Sequence, residues 1–181
     1  EWRKTLYFVE TDDGWTLAIS RRYPKSGRSP YPPVILCHGF TYNSKVWSIA
    51  PEANLSAYLA DRGYDVWMPN LRGAGDSTKW VSKLLELRRK QRSHEGQPLD
   101  IKEAGVRNLT FDPKYADWTI DDYILHDVPA IVDTVCKETG SDRVMWVGHS
   151  MGGIVILGNL IRTQDPRIAR VVNVGSQVTM A

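Results

Sequence analysis

The sequence contains little cysteine and no spacing typical of a metal site. Its two cysteines, Cys37 and Cys136, are far apart, and each lies among apolar residues. Neither is spaced from a histidine or from the other cysteine in the way that zinc ligands are. We therefore expect two buried free thiols rather than a disulfide, and we predict no metal site.

An excess of one charge and a long apolar run are also missing. Lys and Arg number 23 against 21 Asp and Glu, for a net charge of +2. This balance does not indicate a nucleic-acid partner or an anionic membrane surface. No apolar run approaches the ~20 residues that cross a bilayer, so we predict no transmembrane segment. The chain begins at Glu1 without a basic stretch followed by an apolar one, so no signal peptide is visible and no compartment is indicated.

The remaining composition is that of a globular domain. The 181 residues are 42% hydrophobic and include seven Trp, which suits one domain with a sizeable core. Residues 5–10 and 16–23 have strand character, and Asp13-Gly14 between them predicts a hairpin turn. Further strands are predicted at 34–39, 64–73, 143–148 and 168–176, and helices at 51–62, 121–138 and 152–162. This order predicts an α/β fold with a mostly parallel sheet, and Pro129 predicts a kink or break in the second helix.

The stretch 78–117 does not fit the alternation of strands and helices. Trp80, Leu84 and Leu87 have helical spacing beside several basic residues, and a polar, irregular segment follows. We interpret 78–117 as an insertion over one end of the sheet. Its apolar stripe is compatible with an interfacial flap and equally with an ordinary solvated surface helix.

The sequence Gly148-His149-Ser150-Met151-Gly152 matches the G-x-S-x-G pattern and lies between a predicted strand and a predicted helix. In that context the serine occupies a sharp turn that exposes its hydroxyl. Gly148 and Gly152 keep side chains out of the crowded space around it. The N–H of Met151, at a helix start, can point toward a developing oxyanion. We therefore predict that Ser150 is a nucleophile.

The sequence His38-Gly39-Phe40 at the end of an earlier strand fits the second half of an oxyanion hole. There the backbone N–H of Phe40 would be the second donor, with Gly39 and His38 supporting the loop. We interpret His38 as a structural residue rather than the catalytic base. We expect the same of His149, because the turn directs neighbours of the serine away from its hydroxyl.

A third motif follows the strand at 64–73. Arg72, Gly73 and Gly75 predict a tight turn at the edge of the sheet where α/β active sites gather. Asp76 in this loop is a candidate acid, but a triad acid is expected after the serine in this order of elements. We therefore predict that Asp76 holds the loop.

Together these segments resemble the α/β-hydrolase fold, and most closely its acid lipase branch. The matching sequences are "VILCHGF", "GYDVWMPNLRGAGDS" and "HDVPAIVDTVCKETGSDRVMWVGHSMGG". The resemblance covers essentially the whole chain. It implies a lipase or carboxylic ester hydrolase that acts on an ester or lipid without a cofactor. It also implies that Ser150 is the nucleophile and that Phe40 and Met151 are the oxyanion-hole donors.

The chain departs from that family in one respect. Ser150 is followed by 31 residues, up to Ala181, and none is a histidine. The family places its acid and histidine beyond this point, so we expect residues 1–181 to be an incomplete hydrolase domain with about the first six of eight strands. A second chain or a further segment would supply the rest. Without an adjacent base, catalysis falls to a residual ~10³–10⁴-fold over water, so this chain alone should be nearly inactive.

Two alternatives to an ester hydrolase remain open. An acyltransferase or a thioesterase uses the same serine turn, and only the pocket and cap would distinguish them. A non-catalytic interaction module with the hydrolase fold is the third possibility. The intact Ser150 with both glycines argues against that module, because binding alone does not require a strained turn.

Overall fold

The described part of the chain forms a six-stranded sheet with helices on both faces. The computed structural model describes residues 2–77 and 118–177, so the predicted insertion at 78–117 lies outside the described residues. The strands are β1 (Trp2–Glu10), β2 (Thr16–Pro24), β3 (Val34–Cys37), β4 (Val66–Pro69), β5 (Val144–His149) and β6 (Ile168–Val174). Their spatial order is β1-β2-β4-β3-β5-β6.

The sheet is mixed, and its parallel part carries the centre of the fold. Strands β1 and β2 are antiparallel, and β2 also pairs antiparallel with β4. Strands β4, β3, β5 and β6 are mutually parallel. The predicted hairpin and the predicted fold class are thus confirmed. All four residues of β3 and all four of β4 are buried, as expected for strands covered on both faces.

The helices between strands are α1 (Leu55–Asp61), α2 (Val128–Thr139) and α3 (Met151–Thr163), with a short 3₁₀ helix at Ser44–Ser48. Helix α1 begins four residues later than the predicted 51. The reason is a cap: the side chain of Asn54 accepts a hydrogen bond from the N–H of Ala57, which fixes the first turn there. Gly140 ends α2 in the left-handed conformation that glycine adopts readily.

The predicted helix over 121–138 is interrupted before its proline. Thr119 caps a single α-helical turn at Ile120–Asp122, a π-helical segment follows at Tyr123–Asp127, and α2 then begins at Val128. Pro129 therefore lies in the first turn of α2, directly after the π-helical segment. The predicted break is real, and it takes the form of a π-helical segment.

Two apolar clusters pack on the two faces of the sheet. The larger contains Trp67 and Trp146 together with the apolar residues of α2 and α3, and the smaller contains Val66 and Met68 with Trp47. Cys37 and Cys136 are both free thiols, but only Cys37 is fully buried, whereas Cys136 is half-buried. No helix within the described ranges is long and apolar enough to cross a membrane.

Candidate active site

Ser150 occupies the turn between β5 and α3 in a strained backbone conformation. Its φ is 49° and its ψ is −118°, a region that residues with a Cβ rarely occupy and that costs on the order of 1–3 kcal/mol. Its N–H donates to the Val174 carbonyl at 3.0 Å, and its own carbonyl accepts from the Gly153 N–H at 3.0 Å. These bonds hold the turn between the last strand and the first turn of α3. The Ser150 side chain forms no capping hydrogen bond with α3.

The glycines around Ser150 let three backbone segments meet. A Cβ placed on Gly148 would lie 2.5 Å from the carbonyl carbon of Gly152, and a Cβ on Gly152 would lie 2.5 Å from the Cys37 carbonyl oxygen. Both obstacles are backbone atoms, which cannot rotate away. Gly148 therefore permits the sharp turn, and Gly152 permits α3 to rest on the end of β3.

The loop after β3 runs directly beside the serine. A Cβ on Gly39 would lie 3.1 Å from the Cβ of Ser150, and Phe40 is the next residue. The Phe40 side chain is 74% exposed. Met151 is the first residue of α3, and the first N–H groups of a helix have no acceptor within it. The predicted donor loop and the predicted serine are thus neighbours, although the sequence separates them by more than a hundred residues.

Both ring nitrogens of His38 form hydrogen bonds with the backbone of this region. Its ring is fully buried. Nε2 accepts a hydrogen bond from the Leu71 N–H at 3.1 Å, and Nδ1 lies 2.7 Å from the Gly39 carbonyl oxygen. Because that oxygen can only accept, Nδ1 carries the proton and the ring is neutral. Burial lowers the pKa of His38, and the nearby His149 lowers it further, against the opposing bond to Gly39. His38 thus ties the β3 loop to the β4 loop.

The other histidines are placed differently. The ring of His149 stands edge-on to Tyr42, with centroids 5.8 Å apart. Its buried Nδ1 has no hydrogen-bond partner in the described part of the chain. His126 lies at the surface, with Nδ1 2.6 Å from an Asp12 carboxylate oxygen. His94 lies outside the described residues.

A buried ion-pair network holds the loop after β4, and the sequence did not indicate it. Arg72 donates from Nε to Asp127 Oδ1 at 2.8 Å, and its backbone N–H donates to Asp127 Oδ2 at 2.8 Å. Its two terminal nitrogens donate to the carboxylate of Asp13 at 2.7 and 3.0 Å. Burial raises the pKa of Asp127 to about 6, against the opposing charge of Arg72. The network joins the β1–β2 turn, the β4 loop and the π-helical segment.

The loop is held by buried side chains, and the prediction for Asp76 is wrong. Asp76 is exposed and makes no hydrogen bond or ion pair with the residues that the structure describes. Ser77 is fully buried instead, and its hydroxyl donates to the Asn70 carbonyl and accepts from the Ala18 N–H, both at 2.7 Å. Gly73 and Gly75 have φ of 79° and 48°, as the predicted tight turn requires.

One cluster has ligand atoms close enough for a metal ion. Atoms of Asp12, Asp13 and His126 lie within 4.8 Å of one another. Both Asp13 oxygens already accept hydrogen bonds from Arg72, whose positive charge disfavours a second cation. The cluster lies at the hairpin turn and contains none of the predicted site residues.

A strained serine between a parallel strand and a helix, beside a His-Gly loop from a neighbouring strand, is the arrangement of the nucleophile turn in α/β hydrolases. The family model described as the alpha/beta hydrolase fold matches residues 32–181. The chain therefore belongs to the α/β-hydrolase fold family.

Comparison with solved structures gives the same fold. An esterase from Rhodococcus sp. ECU1013 aligns with a TM-score of 0.60 at 20% identity, over 97% of this chain and 47% of that one. A serine hydrolase from Cycloclasticus zankles aligns with a TM-score of 0.58 at 18% identity, over 99% of this chain and 48% of that one. At these identities the similarity concerns the fold alone.

Sequence comparison finds lipases. The chain is 30% identical over 169 residues to the human lysosomal acid lipase/cholesteryl ester hydrolase, covering 91% of this chain and 36% of that protein. It is 30% identical over 172 residues to human gastric triacylglycerol lipase, with the same coverage. The resemblance to acid lipases is thus confirmed, and the chain spans about a third of the length of these relatives.

Proposed function

We propose that the protein is a serine carboxylic ester hydrolase of the lipase or esterase type. The observation that carries this proposal is the strained turn at Ser150, with the Gly39 loop beside it. Backbone strain persists only where the surroundings enforce it, and it is common at functional sites. The named activities of the human acid and gastric lipases support an ester or lipid substrate.

In the proposed reaction Ser150 Oγ attacks the ester carbonyl carbon and loses its proton to a histidine. The negative charge that develops on the carbonyl oxygen is met by the N–H groups of Met151 and Phe40. Collapse of this intermediate releases the alcohol, which takes the proton from the histidine, and leaves an acyl group on Ser150. Water, deprotonated by the same histidine, then releases the carboxylic acid and restores the serine.

The histidine and its acid are proposed to come from polypeptide other than residues 1–181. His38 is unsuitable as the base, because Nε2 already accepts from Leu71 and Nδ1 carries its proton toward Gly39. His126 is tied to Asp12 at the surface. Strand β6 has one neighbour, β5, within the described sheet. Its free edge would allow a further parallel strand to continue the sheet.

The test is covalent labelling of the purified protein, with every polypeptide that accompanies it, by a fluorophosphonate probe. We expect stoichiometric label on Ser150 in a mass-spectrometric digest, and none in the Ser150→Ala variant. Absence of label in the complete protein, with circular dichroism showing it folded, would overturn the proposal. Where Ser150 is labelled, the reaction with p-nitrophenyl butyrate, measured with and without an added alcohol, distinguishes a hydrolase from an acyltransferase.

A further inference from the structure

A basic recess lies on the face of the sheet that carries α1 and the 3₁₀ helix. It has a volume of about 330 Å³. The lining residues that carry the argument are Lys4, Ser20, Arg22, Ser44, Lys45 and Asp76. None of the residues proposed for catalysis contributes to it. Its lining contains four cationic residues, Lys4, Arg21, Arg22 and Lys45, and one carboxylate, Asp76. Asp65 neutralises Arg21, so three cations remain against one carboxylate and the recess has a net positive charge.

Arg22 is the unusual member of this recess. It is only 8% exposed, and a buried guanidinium normally has a carboxylate partner. Its hydrogen-bond partner among the described residues is the neutral Asn54 Oδ1, at 3.2 Å. That oxygen also accepts from the Ala57 N–H at 2.9 Å and from the Ser56 hydroxyl at 3.0 Å. With two lone pairs shared among three donors, it is a weak partner for Arg22.

The adjacent arginine provides the contrast. Arg21 is equally buried, at 8% exposed, and its Nε and Nη2 donate to the two oxygens of Asp65 at 2.9 and 2.7 Å. Burial opposes its charge, yet Asp65 raises the pKa of Arg21, whereas burial alone lowers the pKa of Arg22. The fold thus neutralises one buried arginine of β2 and leaves the other with unused donors at a solvent-accessible recess.

The neighbouring groups extend this donor set. Lys4 and Arg22 both lie against the Trp2 ring, at 5.2 and 4.8 Å from its centroid, which positions two cations on one aromatic side chain. Lys45 approaches from the 3₁₀ helix. The hydroxyls of Ser20 and Ser44 have no partner within residues 2–77 and 118–177. A guanidinium, two ammonium groups and two free hydroxyls match the several acceptor oxygens of a tetrahedral oxyanion.

We propose that this recess binds a phosphate group, with the Arg22 guanidinium as its principal ligand and Lys4 and Lys45 as flanking charges. A phosphate group carries about −1.5 to −2 charges at neutral pH, which complements three cations and the single carboxylate of Asp76. The group could be free inorganic phosphate or the phosphate of a lipid headgroup, because both present the same oxygens. The site is independent of Ser150.

Calorimetric titration of the purified protein tests the proposal with two probes at constant ionic strength. Inorganic phosphate represents the free ion, and glycerol 3-phosphate represents a headgroup without an ester that a carboxylic ester hydrolase could cleave. Saturable binding of either probe supports the site, and the stronger probe identifies the source. Glycerol is the neutral control. Failure of both probes to bind would overturn the proposal. The Ser150→Ala variant should bind as the wild type does, so this result is separate from the labelling experiment.

Variants locate the site. We expect Arg22→Gln to weaken binding at least tenfold, as the loss of a charge-assisted hydrogen bond implies. Lys45→Gln, an exposed change that should leave folding intact, should weaken it several-fold. Lys137→Gln removes the same charge from the exposed side of α2, outside the recess, and should have no effect. Equal affinity of the wild type, Lys45→Gln and Lys137→Gln proteins would refute the assignment, even if Arg22→Gln proved unstable.

Discussion

Replacing Ser150 by glycine should stabilise the protein relative to replacing it by alanine. The backbone has φ 49° and ψ −118° at this position, and alanine keeps the Cβ that makes the conformation costly. Glycine adopts it without steric conflict. Both substitutions remove the hydroxyl, so its loss cancels in the comparison. The difference therefore isolates the strain in the turn.

The expected difference follows from two opposing contributions. Relief of a conformation of this kind is worth about 1–3 kcal/mol. Glycine also gains freedom in the unfolded chain, which costs roughly 0.5–1 kcal/mol. The Ser150→Gly variant should therefore exceed Ser150→Ala in free energy of unfolding by up to about 2.5 kcal/mol, and by roughly 1 kcal/mol for the middle of both ranges. Both variants should be inactive.

The assay is urea unfolding followed by tryptophan fluorescence, with the midpoint and slope fitted for each variant. Ala57→Gly provides the calibration, because Ala57 lies in α1 with an ordinary helical backbone and the change should destabilise by about 1 kcal/mol. The two alanine-to-glycine comparisons should thus have opposite signs. If Ser150→Gly is no more stable than Ser150→Ala, the turn stores no strain and the argument for an enforced nucleophile geometry fails.

Two further predictions concern α3 and His38. Gly152→Ala should destabilise the protein by several kcal/mol and abolish probe labelling, because its Cβ would meet the backbone of Cys37. The control Gly158→Ala would meet only the end of the Ile124 side chain and should cost little. Urea unfolding and fluorophosphonate labelling measure both variants, and equal effects would contradict this reasoning. The pKa of His38 in the folded protein lies below its ordinary 6.5, so neutral His38 stabilises the fold above that pH, and this stability should be lost as the pH falls from about 6.5 through the lowered pKa. The free energy of unfolding, measured between pH 7.5 and 5, should show a decline that the His38→Gln variant lacks. Identical pH profiles of the two proteins would exclude His38 as the source of the decline.

The central elements were predictable because each has a local cause. The continuous apolar run at β3 reflects burial on both faces, and the turn at Ser150 is marked by glycines whose replacement would collide with the backbone. The predicted start of α1 at residue 51 is four residues too early, although the sequence contains the capping residue Asn54. Asn54 is a favourable cap, but Pro51 and Glu52 also resemble a helix start.

The network around Arg72 could not be predicted, because its parts are distant in sequence. Asp127 and Asp13 are 55 and 59 residues from Arg72, and no periodicity connects such positions. Asp76, only four residues away and predicted to hold the loop, is exposed. Only the packing of the π-helical segment against the β4 loop brings Asp127 to Arg72. The local sequence indicates neither the π-helical conformation of this segment nor how deeply Asp127 is buried.

In the proposed hydrolase, the contacts that position Ser150 are distinct from the groups that would activate it. Position depends on the bond from Ser150 to Val174 in β6, on the close approach of Gly152 to the end of β3, and on His38, which joins the loops after β3 and β4. All of these contacts lie within the described residues. In the proposed reaction, in contrast, proton transfer from Ser150 requires a histidine with a free ring nitrogen, and both nitrogens of His38 are engaged. A partner histidine supplied to this framework would therefore meet a serine whose conformation is already fixed. Adding it should raise the rate at Ser150 without changing the backbone around the turn.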